Sequence, residues 1–149
     1  MNDNQLELQH IYLEANFQRW HSISRFFLPY YCYQNGFVTS QGKPSWEVAR
    51  ERCSASSNLA QRKDGLLVPM LPEEVLVGQI KALERDGELT VEALSELLGR
   101  QLHYVVITRS ELGTLKKLGL EKSMPKEWYQ SKQQPTSARL DTAGITLSQ

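Results

Sequence analysis

Ten of the thirteen aromatic residues lie between positions 12 and 46: Tyr12, Phe17, Trp20, Phe26, Phe27, Tyr30, Tyr31, Tyr33, Phe37 and Trp46. Each brings a large apolar area, and the tyrosines and tryptophans also carry a polar tip suited to surfaces where one end stays wet. Aromatic clustering of this density marks either the main core or a recognition surface. It constrains the amino-terminal third to a part of the fold with much to bury.

Residues 4–28 read as one long helix. At about 100° per residue, Leu6, Leu13, Phe17, Trp20, Phe27 and Leu28 form one stripe, and Leu8, Tyr12, Ile23 and Phe26 form a second beside it. Glu7, Glu14, Gln18, His21, Ser22 and Arg25 share the remaining sector. An apolar face wider than half the circumference exceeds what one side of a core requires, so the helix is either central or also faces a partner. Pro29 is expected to stop it.

Residues 30–39 place β-favouring residues on both sides of Asn35-Gly36, which predicts a hairpin, with a helix ending on Gly36 as the competing reading. Further along, residues 45–61 read as a helix and residues 66–70 as a strand whose Pro69 favours a sheet edge. A helix opens at Pro72-Glu73-Glu74 and closes at Asp86-Gly87, with Leu76, Ile80 and Leu83 inward, and Thr90 is the N-cap of a helix ending at Gly99. Residues 103–108 are β-branched and read as a strand, and Thr108 with Glu111 forms a capping box for a helix closed by Gly119. The expected fold is therefore α+β: a helix-rich single domain over residues 1–129 with a small antiparallel sheet built from the hairpin and the strands near Leu66 and His103. Residues 130–149 are expected to be a polar linker and tail that Leu140, Ile145 and Leu147 can pin back onto the domain.

A length of 149 residues suits one domain, and 40% apolar with 23% charged residues is ordinary for a globular chain. The longest apolar stretch, residues 23–38, is interrupted by Arg25, Pro29, Gln34 and Asn35, so no membrane span is expected. No secretory leader is read at the start, and the expected location is cytoplasmic. Cys32 and Cys53 stand far apart without nearby histidines and read as reduced thiols. The net charge is zero but unevenly spread: residues 1–99 carry nine basic and thirteen acidic groups, a net −4, whereas residues 100–139 carry eight and three, a net +5.

The motifs that carry chemistry are sparse. His10, His21 and His103 are widely separated, no nucleophile elbow or glycine-rich phosphate loop is present, and no metal or cofactor is expected. The favoured function is non-catalytic binding of another protein or of a second copy, with Tyr30, Tyr31, Tyr33 and Phe37 as anchors. The alternative is a DNA-binding regulator. Its helix-turn-helix would set Ser95 and Gly99 at the turn and use Gln101, His103, Arg109, Lys116 and Lys117 against DNA, although Val105-Val106-Ile107 belongs in a strand. A small metal-independent enzyme such as a nuclease is the third reading.

Overall fold

The computed structural model describes residues 1–148. The chain divides into two compact units, one made of Met1–Val48 and Leu76–Leu102, the other of Ala49–Val75 and His103–Gln149. The class is α+β and rich in helix, as the sequence patterning predicts.

The first unit is helical. Helix α1 (Asp3–Asn16) starts with a capping box: the Asn2 side chain accepts from the Gln5 N–H at 2.8 Å, and the Asn2 N–H donates to Gln5 Oε1 at 3.0 Å. The expected helix over residues 4–28 does not run through. Gln18 adopts φ 59°, the Arg19 N–H donates to Glu14 O and the Gln18 N–H donates to Ala15 O, which together form a helix-ending turn without glycine. The chain restarts as α2 (Trp20–Ile23), continues through one 3₁₀ turn and enters α3 (Phe27–Asn35). Pro29 does not stop a helix here. It occupies the first turn of α3, where its missing N–H has no helical acceptor to lose.

The expected hairpin over residues 30–39 is corrected by the same structure. Those tyrosines lie on α3, and Gly36 at φ 71° is its left-handed cap, with the Phe37 N–H donating to Cys32 O at 2.8 Å. A hairpin turn and a helix cap both require positive φ at glycine, so Asn35-Gly36 satisfies either. Residues 37–45 then fold back through a bridge between Val38 and Pro44. The Ser45 hydroxyl accepts from the Val48 N–H at 3.2 Å and opens α4 (Trp46–Arg52), which is shorter than the expected helix over residues 45–61. Helices α5 (Glu73–Arg85) and α6 (Val91–Gln101) begin where predicted, and the Thr90 side chain caps α6 by accepting from the Ala93 N–H at 3.0 Å. Helix α6 continues two residues past Gly99. Within this unit α1 packs on α3 and α6, and Ile11, Ala15, Ile23, Phe27, Leu76, Ile80 and Leu94 are buried.

The second unit holds the sheet, in the order β2-β3-β1-β4: β1 (Ala55–Ser56), β2 (Leu66–Pro69), β3 (Tyr104–Ile107) and β4 (Leu147–Ser148). Strand β3 runs antiparallel to β2 and parallel to β1, and β1 runs antiparallel to β4. The sheet is thus mixed rather than antiparallel, and the Tyr-rich segment contributes no strand to it. A strand buried along its whole length, as β3 is, needs a neighbour on each side, and the two-residue β1 supplies the one that hydrophobic patterning is too short to reveal. Strand β2 lies at an edge, where Pro69 removes no required ladder bond.

Val105 and Ile107 of β3 and Leu115 of α7 (Arg109–Lys117) share a core with Leu120, with Leu140 of α8 (Ala138–Thr142) and with Ile145 beyond it. Arg139 fastens this arrangement from inside. Its buried guanidinium donates to Met70 O at 2.9 Å, Leu120 O at 2.8 Å, Glu121 O at 3.0 Å and, at closer range, Pro69 O. Burial pulls its pKa down, against the pull of Glu74 and Glu121. Four backbone carbonyls, from the end of β2, the residue after it and the turn after α7, are satisfied by one side chain.

The left-handed residue at the end of α1 gives a direct test. Gln18→Val should cost about 1–2 kcal/mol in urea unfolding, because a β-branched side chain resists positive φ. A loss no larger than an ordinary surface change would contradict the glycine-free turn.

Candidate protein-binding surface

Helix α1 buries Leu8, Ile11 and Ala15. At about 100° per residue those three cluster around one direction, while Leu6, Leu13 and Phe17 fall within about 40° of one another on the opposite side. They are 46%, 49% and 69% exposed. The helix therefore has two apolar faces, one packed and one open. The turn at Gln18 takes the rest of the expected stripe elsewhere: Phe27 is fully buried, and Trp20 and Leu28 are half-buried.

The open stripe is bordered by carboxylates. Glu7 lies 3.3 Å from His10 Nδ1, and the His10 ring packs on Phe26 with centroids 5.1 Å apart. Glu14 accepts from the Ser22 hydroxyl and lies 3.4 Å from Arg19. The Ser22 bond, against some burial and with help from Arg19, Arg25 and His21, holds the Glu14 carboxyl below its ordinary value. These contacts fix the acidic edge in place.

The predicted anchors divide. Tyr30 is buried in the first unit, whereas Tyr31, Tyr33 and Phe37 are half-buried. Tyr31 and Phe37 pack as a tilted pair with centroids 5.9 Å apart. Burial first, then the carboxylates of Asp3 and Glu7, push the Tyr33 hydroxyl above its ordinary pKa. The side chains of Asn4 and Gln34 bond to each other and tie the first turn of α1 to the last turn of α3.

The residues expected to read DNA are not gathered on one helix. Gln101 is the buried last residue of α6, His103 is half-buried ahead of β3, and Arg109, Lys116 and Lys117 are exposed on α7. The segment required for recognition is β3, an internal strand whose residues are all buried. Trp128, near the later lysines, is buried and donates its Nε1–H to Pro135 O at 2.9 Å.

One polar cluster lies in the second unit. Ser56 Oγ donates to Glu111 Oε2 at 2.7 Å, Asn58 donates to the same oxygen at 3.3 Å, and the Thr108 N–H donates to Glu111 Oε1 at 2.9 Å. Burial pushes this carboxyl up, but the bonds from Thr108, Ser56 and Asn58 outweigh it and hold it below its ordinary value. A carboxylate so held is a weak base, and Ser56 is itself buried, so the pair is suited to fixing the start of α7 against β1 rather than to activating a nucleophile. Glu73 shows the opposite environment. Burial, reinforced by Glu74, raises its carboxyl despite a bond from the Tyr104 hydroxyl at 3.2 Å. Among the described residues, no group of three or more His, Cys, Asp or Glu side chains is placed to hold a metal ion, and no helix is long and apolar enough to cross a membrane. Cys32 and Cys53 are both buried, and the Cys32 thiol donates to Ser45 O at 3.8 Å.

Comparison with known proteins adds no assignment: no protein-family profile, no curated protein sequence and no solved structure matches the chain.

Sequence patterning placed Leu6, Leu13 and Phe17 on one stripe, and the Gln18 turn is what leaves that stripe open. Ile11 and Ala15, which define the buried face, are the residues the two-stripe reading left out.

The Glu111 cluster predicts a defined acid dependence. Because its folded pKa is lowered, its contribution to stability is complete above the ordinary glutamate value of about 4.3 and is lost as pH falls through the folded value. Glu111→Gln should therefore be destabilised near neutrality by about 1–3 kcal/mol in denaturant unfolding, with the gap to the parent protein closing in acid. A gap that stays constant with pH would contradict the assignment.

Proposed function

We propose that this chain is a non-catalytic protein-binding module and that the open stripe of α1 is its docking face. The observation that carries the reading is the placement of Leu6, Leu13 and Phe17 opposite the packed face of the same helix. Apolar residues spaced by seven and four positions along a helix are the pattern that receives a second amphipathic helix, since each side chain falls near the same line on the cylinder.

Covering the exposed half of two leucines and two thirds of a phenylalanine stabilises a complex by about 3–5 kcal/mol. Association costs consume much of that, so the partner must add contacts beyond the stripe. The half-buried Tyr31 and Phe37 and the carboxylates of α1 are the groups in the same unit suited to supplying them. The alternative, DNA binding through Arg109, Lys116 and Lys117, draws support from the exposure of those cations. It would show as duplex binding that falls steeply with added salt.

The protein-binding reading is tested by placing a photo-crosslinking amino acid at position 13 or 17 in the producing cell, with position 88 as a control. Adducts to protein from 13 and 17 and none from 88 are expected. In parallel, Leu13→Glu should leave unfolding stability within about 0.5 kcal/mol while weakening partner binding at least tenfold. Protein adducts from position 88 alone would overturn the assignment.

A further inference from the structure

The exposed apolar residues of the two units sit in opposite charge surroundings. Helix α1, which carries Leu6 and Leu13, has three carboxylates, Asp3, Glu7 and Glu14, and no lysine or arginine of its own, although Arg19 beyond its end pairs with Glu14. In the second unit Leu118 is 49% exposed and lies in the segment 116–122, which has three lysines, Lys116, Lys117 and Lys122, and one acid, Glu121. The contrast extends to the whole units. The first has six basic and nine acidic residues, a net −3, and the second has eleven and eight, a net +3.

Leu118 is also held rigidly. Its N–H donates to Thr114 O at 3.0 Å, Gly119 adopts φ 73°, and the Leu120 N–H donates to Leu115 O at 2.8 Å, so Leu120 turns into the core as Leu118 turns out. A side chain presented on a fixed turn loses little freedom when a partner covers it.

We infer that the occupant of the α1 stripe is a second copy of this chain, bound head to tail, with Leu118 and its surrounding lysines of one copy meeting Leu6, Leu13, Phe17 and the acidic edge of α1 in the next. The inference rests on the protein-binding reading of α1 and specifies its partner. Such an interface is heterologous: each copy keeps one free face of each kind, so growth continues to a ring or a short filament. The charged rim steers the encounter and weakens with salt, whereas the leucine contacts do not.

The test uses full-length protein and two variants, Leu13→Glu and Leu118→Glu, with mass measured by sedimentation across a micromolar to sub-millimolar range. Circular dichroism checks their folding, and Phe17→Gln replaces the first variant if Leu13→Glu does not fold. The parent protein should show a mass that rises with concentration and falls with salt, and each variant alone should associate at least tenfold more weakly. An equimolar mixture of the two should recover association but stop at a dimer, because each variant retains one intact face and the two faces match. If only Leu13→Glu abolishes association, and the mixture recovers no more than Leu118→Glu forms by itself, copies pair α1 to α1; the head-to-tail inference then falls and the α1 docking face stands. A parent protein that stays monomeric throughout overturns the inference and leaves α1 to a different protein. Association unchanged in both variants overturns the inference and removes self-association from the α1 face, whose binding of another protein is then judged by crosslinking from positions 13 and 17.

Discussion

The backbone of Gln18 decides which apolar residues of the amino-terminal segment are covered. By turning left-handed, it ends α1 after Asn16 and gives Trp20, Ile23 and Phe27 a new register. Ile23 and Phe27 are fully buried in that register, while Leu6, Leu13 and Phe17 keep the old one and remain open. The conformation costs about 1–2 kcal/mol for a residue with a Cβ. The paired bonds of the turn, together with a bond from the Gln18 side chain to Glu84 at 3.1 Å, offset that cost.

The second unit is organised by polar groups placed inside an apolar frame. Strand β3 provides the buried ladder, Glu111 ties the start of α7 to β1, and Arg139 closes the carbonyls at the end of β2. Both charged groups are nearly fully bonded, which is the condition under which a buried charge specifies an arrangement instead of opposing it.

Much of this was legible in the residues. Thr90, Thr108 with Glu111, Pro69 and Gly119 each act as predicted, because caps, edge prolines and left-handed glycines obey local rules that few contacts override. The failures share a different cause. Asn35-Gly36 fits a hairpin as well as a helix cap, because positive φ at glycine serves both structures, and the burial of Tyr30 and Cys32 goes with the helix. Strands β1 and β4 are two residues long and carry no periodicity, so their pairing depends on their neighbours, β3 for β1 and β1 for β4, and not on their own composition. For the candidate site, the stripe was visible as an excess of apolar surface, but which part of it stays open depends on a glycine-free turn that no propensity signals.

Side-chain footprinting by photogenerated carbene, read residue by residue over a dilution series, tests the two-faced helix most directly. The account predicts strong labelling of Leu6, Leu13 and Phe17 in dilute protein, while Leu8, Ile11 and Phe27 stay unlabelled at every concentration. Protection of Phe17 and Leu13 at the lowest concentration would mean that the stripe is packed within its own chain, and the docking face on α1 would be lost.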